Sequence, residues 1–236
     1  MSNEATTAPH AVVTGSSGGI GRAIASHLLE AGWRVSGVDL APPTLSSHAG
    51  FTHAAVDLCD TGAIARAAAA LQDADALVHA AGVLRVGELG SLDHAGGELM
   101  WRLHVDAATR LADALVPAMA ARGRGRVVFV GSRVAQGLPG RGQYAATKAA
   151  LIALARSWAA EVAAQGVTVN VVSPGATQTS MLQDPARAGS APRMPPIGRL
   201  IQPGEIAALV GFLLSPQAAA ITGQDVAICG GSSLHR

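Results

Sequence analysis

At 236 residues the chain suits one α/β domain with a single sizeable core. A formal net charge of +1 excludes the strongly basic balance of a nucleic-acid or acidic-membrane binder. Hydrophobic residues make up 49% of the chain, yet no apolar run approaches the roughly 18 residues of a membrane span. Cys59 and Cys229 stand in unrelated contexts without metal-ligand spacing. They read as small core residues in a reducing, cytoplasmic setting, with no metal site expected. The polar opening, residues 1–9, lacks the apolar core of a signal peptide and reads as disordered.

In chain order, the first strand (11–13) runs into Thr14-Gly15-Ser16-Ser17-Gly18-Gly19-Ile20-Gly21 and then a helix over 19–31. Strand, glycine turn and helix start together bring backbone N–H groups and a positive helix end to a pyrophosphate. Gly15, Gly19 and Gly21 are the spaced glycines, with Ser17 and Ile20 between them. A second strand (34–38) closes on Asp39, 18 residues after Gly21. An acidic side chain there accepts from the ribose hydroxyls of an adenosine. It would repel the 2′-phosphate of NADP, and neither Gly18 nor Leu40 offers a cation to offset it, so the expected cofactor is NAD. A third strand (52–56) leads to Asp57 and Leu58, the expected adenine pocket, and to a helix over 61–71. The fourth strand (76–79) precedes Ala81-Gly82, also expected to line the cofactor.

A long helix over 99–121 precedes the fifth strand (126–130) and Ser132. A helix over 143–164 then carries Tyr144 and Lys148, four residues apart and so on one face. They are the only tyrosine and the only lysine; the other 16 of 17 cationic residues are arginine. A tyrosine acting as a base must ionise below its ordinary pKa near 10, and a nearby ammonium supplies the right sign of field. A compact ammonium on a flexible stem also suits the nicotinamide ribose better than a planar guanidinium. Ser132, twelve residues before Tyr144, is placed to hydrogen-bond the substrate oxygen. The sixth strand (167–171) passes Asn170 and reaches a turn at Pro174-Gly175. Thr177 and Thr179 follow, the latter expected near the carboxamide. Residues 174–203 read as one long substrate loop. A helix over 203–214 and a last strand (225–228) complete a β-α-β alternation. It predicts a Rossmann-type doubly wound parallel sheet of about seven strands, helices on both faces, in a single domain over 1–236.

Taken in this order, Thr14–Gly21, Asp39, Asp57, Ala81-Gly82, Ser132, Tyr144, Lys148, Pro174-Gly175 and Thr179 resemble the short-chain dehydrogenase/reductase family. The tail Ile221-Thr222-Gly223-Gln224 with Gly230-Gly231 is similar to that family's last loop and strand. The resemblance runs from about His10 to Leu234. It implies a seven-stranded sheet, transfer of the pro-S hydride, and homodimers or homotetramers built through the helices at 99–121 and 143–164. Two positions depart from the family. His79-Ala80-Ala81-Gly82 replaces Asn-Asn-Ala-Gly, with His79 read as structural. His104 stands where the resemblance places a catalytic asparagine, and the chain has only Asn3 and Asn170. Two readings of His104 are open: a titrating relay to water, or packing.

The expected activity is interconversion of a secondary alcohol and a ketone, with Tyr144 as general acid/base. An NAD-assisted epimerase or dehydratase, and an NAD-binding regulatory protein without turnover, stand as alternatives. The substrate is open among sugars or polyols, hydroxy acids, steroids and 3-oxoacyl groups. Gly82-Val83-Leu84-Arg85 and the Gly-Gly-Ser-Ser-Leu tail are similar to segments of cyclic-diol dehydrogenases. One of Arg85, Arg133 or Arg141 is a candidate to hold an acidic substrate group, against the reading of all three as solvated surface charge.

Overall fold

The computed structural model describes residues 8–183 and 193–234. Seven apolar runs form strands: β1 (His10–Thr14), β2 (Arg34–Asp39), β3 (Phe51–Ala55), β4 (Ala76–His79), β5 (Gly125–Val130), β6 (Val167–Pro174) and β7 (Asp225–Ile228). All pair in parallel, in the order β3-β2-β1-β4-β5-β6-β7. The order reverses between β1 and β4, which opens a crevice over the carboxyl ends of those strands. Six helices connect them: α1 (Gly19–Glu30), α2 (Thr61–Ala69), α3 (His94–Trp101), α4 (Ala107–Ala121), α5 (Gly142–Val162) and α6 (Pro203–Leu214).

Alternate strand residues feed opposite faces, as the two-residue period of a strand requires. Val12, Leu77, Val127 and Phe129 pack with Ile64, Leu111 and Leu151 of α2, α4 and α5. Val13, Val78, Val128 and Val130 pack with Ile24, Leu28, Ile206 and Val210 of α1 and α6. Both faces being covered explains why the strands read as continuous apolar runs.

Three expectations are corrected. The long helix begins at His94, where the Asp93 side chain caps the Gly96 N–H at 2.8 Å. It is also interrupted by a π turn over Arg102–Asp106. Gly96 and Gly97 weaken the helical signal in its first turn, and no sequence period marks a π turn. The third correction is at Pro174, which ends β6 instead of opening the loop. It pairs with Ile228, and Gly175 N–H donates to the Ile228 carbonyl at 3.0 Å. Cys229 is buried as expected, whereas Cys59 is half-exposed. The expectation for the amino terminus falls, over residues 1–7, outside the described residues, as do 184–192 of the long loop.

The base of that loop is tied. Gln178 N–H donates to Ile201 and Ile201 N–H to Ala176, both at 2.9 Å. Arg199 then forks onto Glu205 at 2.7 and 2.9 Å, and Glu205 also accepts the Gln202 N–H at 2.8 Å. These contacts hold the Glu205 carboxyl down at about 2.

The glycine turn allows no side chain at its close approaches. A Cβ on Gly21 would stand 2.2 Å from the Gly15 carbonyl oxygen, whereas one on Gly204, in the first turn of α6, meets nothing within 4 Å. Gly21→Ala is expected to lower unfolding stability by about 1–3 kcal/mol, the usual cost of overpacking. Gly204→Ala should raise it by about 0.4–1 kcal/mol, through loss of unfolded-state entropy. Chemical denaturation of the two variants checks both signs.

Candidate active site

The crevice continues as a cleft of about 990 Å³. Ser132 follows β5 and caps the next turn, Tyr144 and Lys148 project from the first turns of α5, and His104 comes from the π turn; all four line it. Ile20, Gly82, Pro174, Gly175, Thr177 and Thr179 line it too. The topology therefore gathers residues from Ile20 to Thr179 that are far apart in sequence.

The glycine turn stands beside this cleft. Gly15 and Gly19 have φ of 69° and 53°, the left-handed region that glycine tolerates. Its geometry fits a pyrophosphate. Gly18 caps α1 without a side-chain hydrogen bond, no acidic residue occupies the first turn, and a Cβ on Gly18 would meet nothing within 4 Å. The first N–H groups of α1 thus face open space with a positive dipole end behind them. The loop after β6 returns over this turn, bringing the Thr179 methyl to 3.6 Å from where a Gly19 Cβ would stand.

Asp39 is held by the same turn. Its two carboxylate oxygens accept the Ser17 and Ala41 N–H groups, each at 2.9 Å. Each oxygen keeps a second lone pair for a ribose hydroxyl. The neighbouring Leu40 is uncharged and 70% exposed. Asp57 and Leu58 do not line the cleft. Leu58 packs into the core, and Asp57 is exposed, accepting the Cys59 N–H at 2.8 Å. Ala81 is likewise a core residue, and its backbone stands 2.9 Å from where a Gly15 Cβ would be.

Lys148 is buried, and its ammonium donates to the Val130 carbonyl at 2.9 Å. Its Nζ stands 5.7 Å from the centre of the Tyr144 ring. Burial pushes its pKa down to about 7, because removing an ammonium from water disfavours the charged form. One donated bond leaves two ammonium protons for other partners. Ser132 Oγ accepts the Val134 N–H at 3.2 Å, which leaves its own proton to donate outward.

Both histidines are neutral and saturated. His104 is fully buried; its Nε2 accepts the Val83 N–H at 3.1 Å, so Nδ1 carries the proton and donates to Thr147 Oγ1 at 2.9 Å. Thr147 passes its own proton to the Tyr144 carbonyl at 2.8 Å. Burial, then the Lys148 charge, then His79 hold His104 well below its ordinary pKa. A titrating relay needs a ring nitrogen facing water, and neither of these does. His104 instead packs edge-on to the Tyr144 ring, centroids 5.7 Å apart. His79 is structural: Nε2–H donates to the Leu103 carbonyl at 3.1 Å, and Nδ1 accepts from Thr14 Oγ1 at 3.0 Å. Burial and Lys148 bring its pKa down to about 3.

Sequence reasoning missed Thr147 and the role of Thr14, whose hydroxyl also accepts the Ala80 and Ala81 N–H groups at 3.1 Å. The available signal for Thr147 was its place three residues after Tyr144, where a helical hydroxyl bonds back to the preceding turn. Among the described residues no three His, Cys, Asp or Glu side chains form a cluster fit for a metal ion.

The model of the family described as enoyl-(acyl carrier protein) reductase matches residues 15–233. The 3-oxoacyl-(acyl-carrier-protein) reductase FabG of Vibrio cholerae is 37% identical over 94% of this chain and 96% of its own. The 2,3-dihydro-2,3-dihydroxybenzoate dehydrogenase of Escherichia coli is 35% identical over the same shares. The 2-keto-3-deoxy-L-fuconate dehydrogenase of Xanthomonas campestris is 33% identical over 94% of this chain and 79% of its own. Among solved structures, a short chain dehydrogenase/reductase family protein superposes with a TM-score of 0.89 at 35% identity, covering 96% of this chain and 98% of the other. Actinorhodin polyketide ketoreductase with NADPH superposes equally well, TM-score 0.89, at 26% identity over 97% and 98%. Motifs, topology and relatives agree: the chain belongs to the short-chain dehydrogenase/reductase family of oxidoreductases, which bind a nicotinamide cofactor.

Proposed function

We propose that this protein interconverts a secondary alcohol and a ketone with NAD, using Tyr144 as general acid/base. The observation that carries the reading is the convergence of Ser132, Tyr144 and Lys148 on one cleft beside an uncapped α1 N-terminus. The named relatives act on 3-oxoacyl groups, a cyclic diol acid and a keto sugar acid, and a ketone or secondary alcohol is common to them. A regulatory protein without turnover would not need this complete set, and an epimerase or dehydratase has no added feature in its favour.

When bound, the cofactor supplies the hydride acceptor or donor. The turn from Gly15 to Gly21, Asp39 and Thr179 would hold it, and Lys148, with two ammonium protons beyond its bond to Val130, would donate to its nicotinamide ribose. In oxidation, the Ser132 hydroxyl donates to the substrate oxygen while the Tyr144 phenolate removes the alcohol proton. The Lys148 ammonium favours that phenolate through its field. His104 is a positioning residue: through Thr147 it fixes the backbone of Tyr144, and it stays neutral across the working range. No helix of the described residues is long and apolar enough to cross a membrane, and we assign the protein to the cytoplasm. Assembly as a homodimer or homotetramer through α4 and α5 rests on the family resemblance.

Three outcomes follow. Tyr144→Phe should bind cofactor nearly as before and lose about 10²–10⁴-fold in turnover; retention of more than a tenth of the activity would mean another base operates. NAD should be preferred because the Asp39 carboxylate occupies the approach of a 2′-phosphate. Dissociation constants for NAD and NADP, measured by calorimetry, should shift toward NADP in Asp39→Ser combined with Leu40→Arg. Equal affinities in the unmodified protein would contradict the assignment.

The third outcome concerns protons. Lys148 is depressed to about 7 in the chain alone, so it is mostly neutral at pH 8. Its partners in the bound cofactor favour the ammonium. Binding at pH 8 should therefore take up close to one proton per site, and binding at pH 6 almost none. Calorimetry in buffers of different ionisation enthalpy reads this directly, and no uptake at pH 8 would refute it.

A further inference from the structure

The cleft is lined by apolar and polar side chains in near-equal share, Val134, Leu138, Met181, Leu182 and Met194 among the apolar ones. The charges that described residues bring to it are all of one sign. Arg133, Arg141, Arg193 and Lys148 line the cleft, and among the described residues no Asp or Glu does. In a chain with 16 acidic and 17 basic residues, such segregation is a local choice. Lys148 belongs to the catalytic set. Arg133 directly follows Ser132 in the turn after β5, and Arg193 belongs to the long loop; both line the cleft. Neither makes a hydrogen bond or an ion pair with a described residue, in contrast to Arg34, Arg110, Arg124 and Arg199, which all pair with carboxylates. Arg133 is moreover half-buried, where a guanidinium without a counter-charge is costly.

The cofactor does not account for these charges. Asp39, at the adenosine end, closes β2, and β5 lies three strands away in the sheet order, about 14 Å at the usual strand spacing. The glycine turn after β1 is two strands from β5, about 10 Å by the same spacing. Arg133 thus stands past the pyrophosphate site, on the side of Ser132 and the substrate carbonyl.

We propose that the substrate is an oxo acid or hydroxy acid with a free carboxylate and an apolar chain, its carboxylate read by Arg133 and Arg193. A guanidinium fork matches a carboxylate with two parallel hydrogen bonds, and the apolar side chains of the lining would pack on the substrate's chain. This rests on the alcohol/ketone reading of the same site. It commits to a free acid over a neutral ester or thioester.

The test pairs matched compounds. Reduction of 3-oxohexanoate is compared with that of its ethyl ester, and equilibrium binding of hexanoate with that of hexanamide, both in cofactor-saturated protein. The acid should exceed the ester in kcat/KM by about 10- to 100-fold, the scale of a charged hydrogen bond. Hexanoate should bind at least tenfold tighter than hexanamide. Both ratios should fall toward one in Arg133→Ala and Arg193→Ala, chiefly through KM, while Arg34→Ala, at the start of β2 and paired with Asp73, keeps them. Esters reduced as well as acids, or hexanamide binding as well as hexanoate, would overturn the anion site and leave the oxidoreductase reading intact. Tight hexanoate binding lost in Arg133→Ala, with no ketone of either kind reduced, would establish the anion site and refute the redox reading.

Discussion

A lysine ammonium held out of water, against a single backbone carbonyl, sets the terms for everything around it. Among the described residues Lys148 has Val130 as its one acceptor, and its burial alone brings its pKa to about 7. Any second positive charge nearby would push it further down. The two histidines nearest it are therefore kept neutral, and the structure does this by saturating them. Each has one ring nitrogen donating and one accepting, so a proton on either ring would cost an existing hydrogen bond as well as desolvation.

Those same bonds form a continuous path from the glycine turn to α5. Thr14, at the end of β1, accepts the Ala80 and Ala81 amides and donates to His79. His79 donates to Leu103 inside the π turn. The extra residue of that turn carries His104 inward, where it meets the Val83 amide and Thr147. Thr147 closes the path on the carbonyl of Tyr144. Gly82 completes the fit, since a Cβ there would come within 2.9 Å of His104 Nε2. Residues whose family counterparts are asparagines thus link the glycine turn to Tyr144, and the histidines do so without carrying charge.

Much of this was legible in sequence because its signals are local. The strands read as valine-rich runs, the turn as spaced glycines before a helix, and Tyr144 with Lys148 as an isolated pair on one helical face. Ser132 and Thr179 were legible through their order along the chain. What was not legible depends on contacts between distant segments. The state of His104 is set by an amide 21 residues before it and a hydroxyl 43 residues after it, and no spacing encodes either. The start of α3 was hidden by Gly96 and Gly97, and the π turn by the absence of any period of its own. Leu58 was expected at the adenine pocket, and its apolar side chain is buried in the core.

The central claim is electrostatic: Lys148 makes Tyr144 a usable base. Tyr144 is the only tyrosine in the chain, and the three tryptophans do not ionise, so the absorbance change of phenol to phenolate reports this one group. The decisive measurement is a spectrophotometric pH titration of the cofactor-bound protein, with Lys148→Met beside it. The account predicts ionisation of Tyr144 below the ordinary tyrosine value near 10, displaced upward when the ammonium is removed. Ionisation at or above 10 in the unmodified protein, unchanged in Lys148→Met, would contradict it.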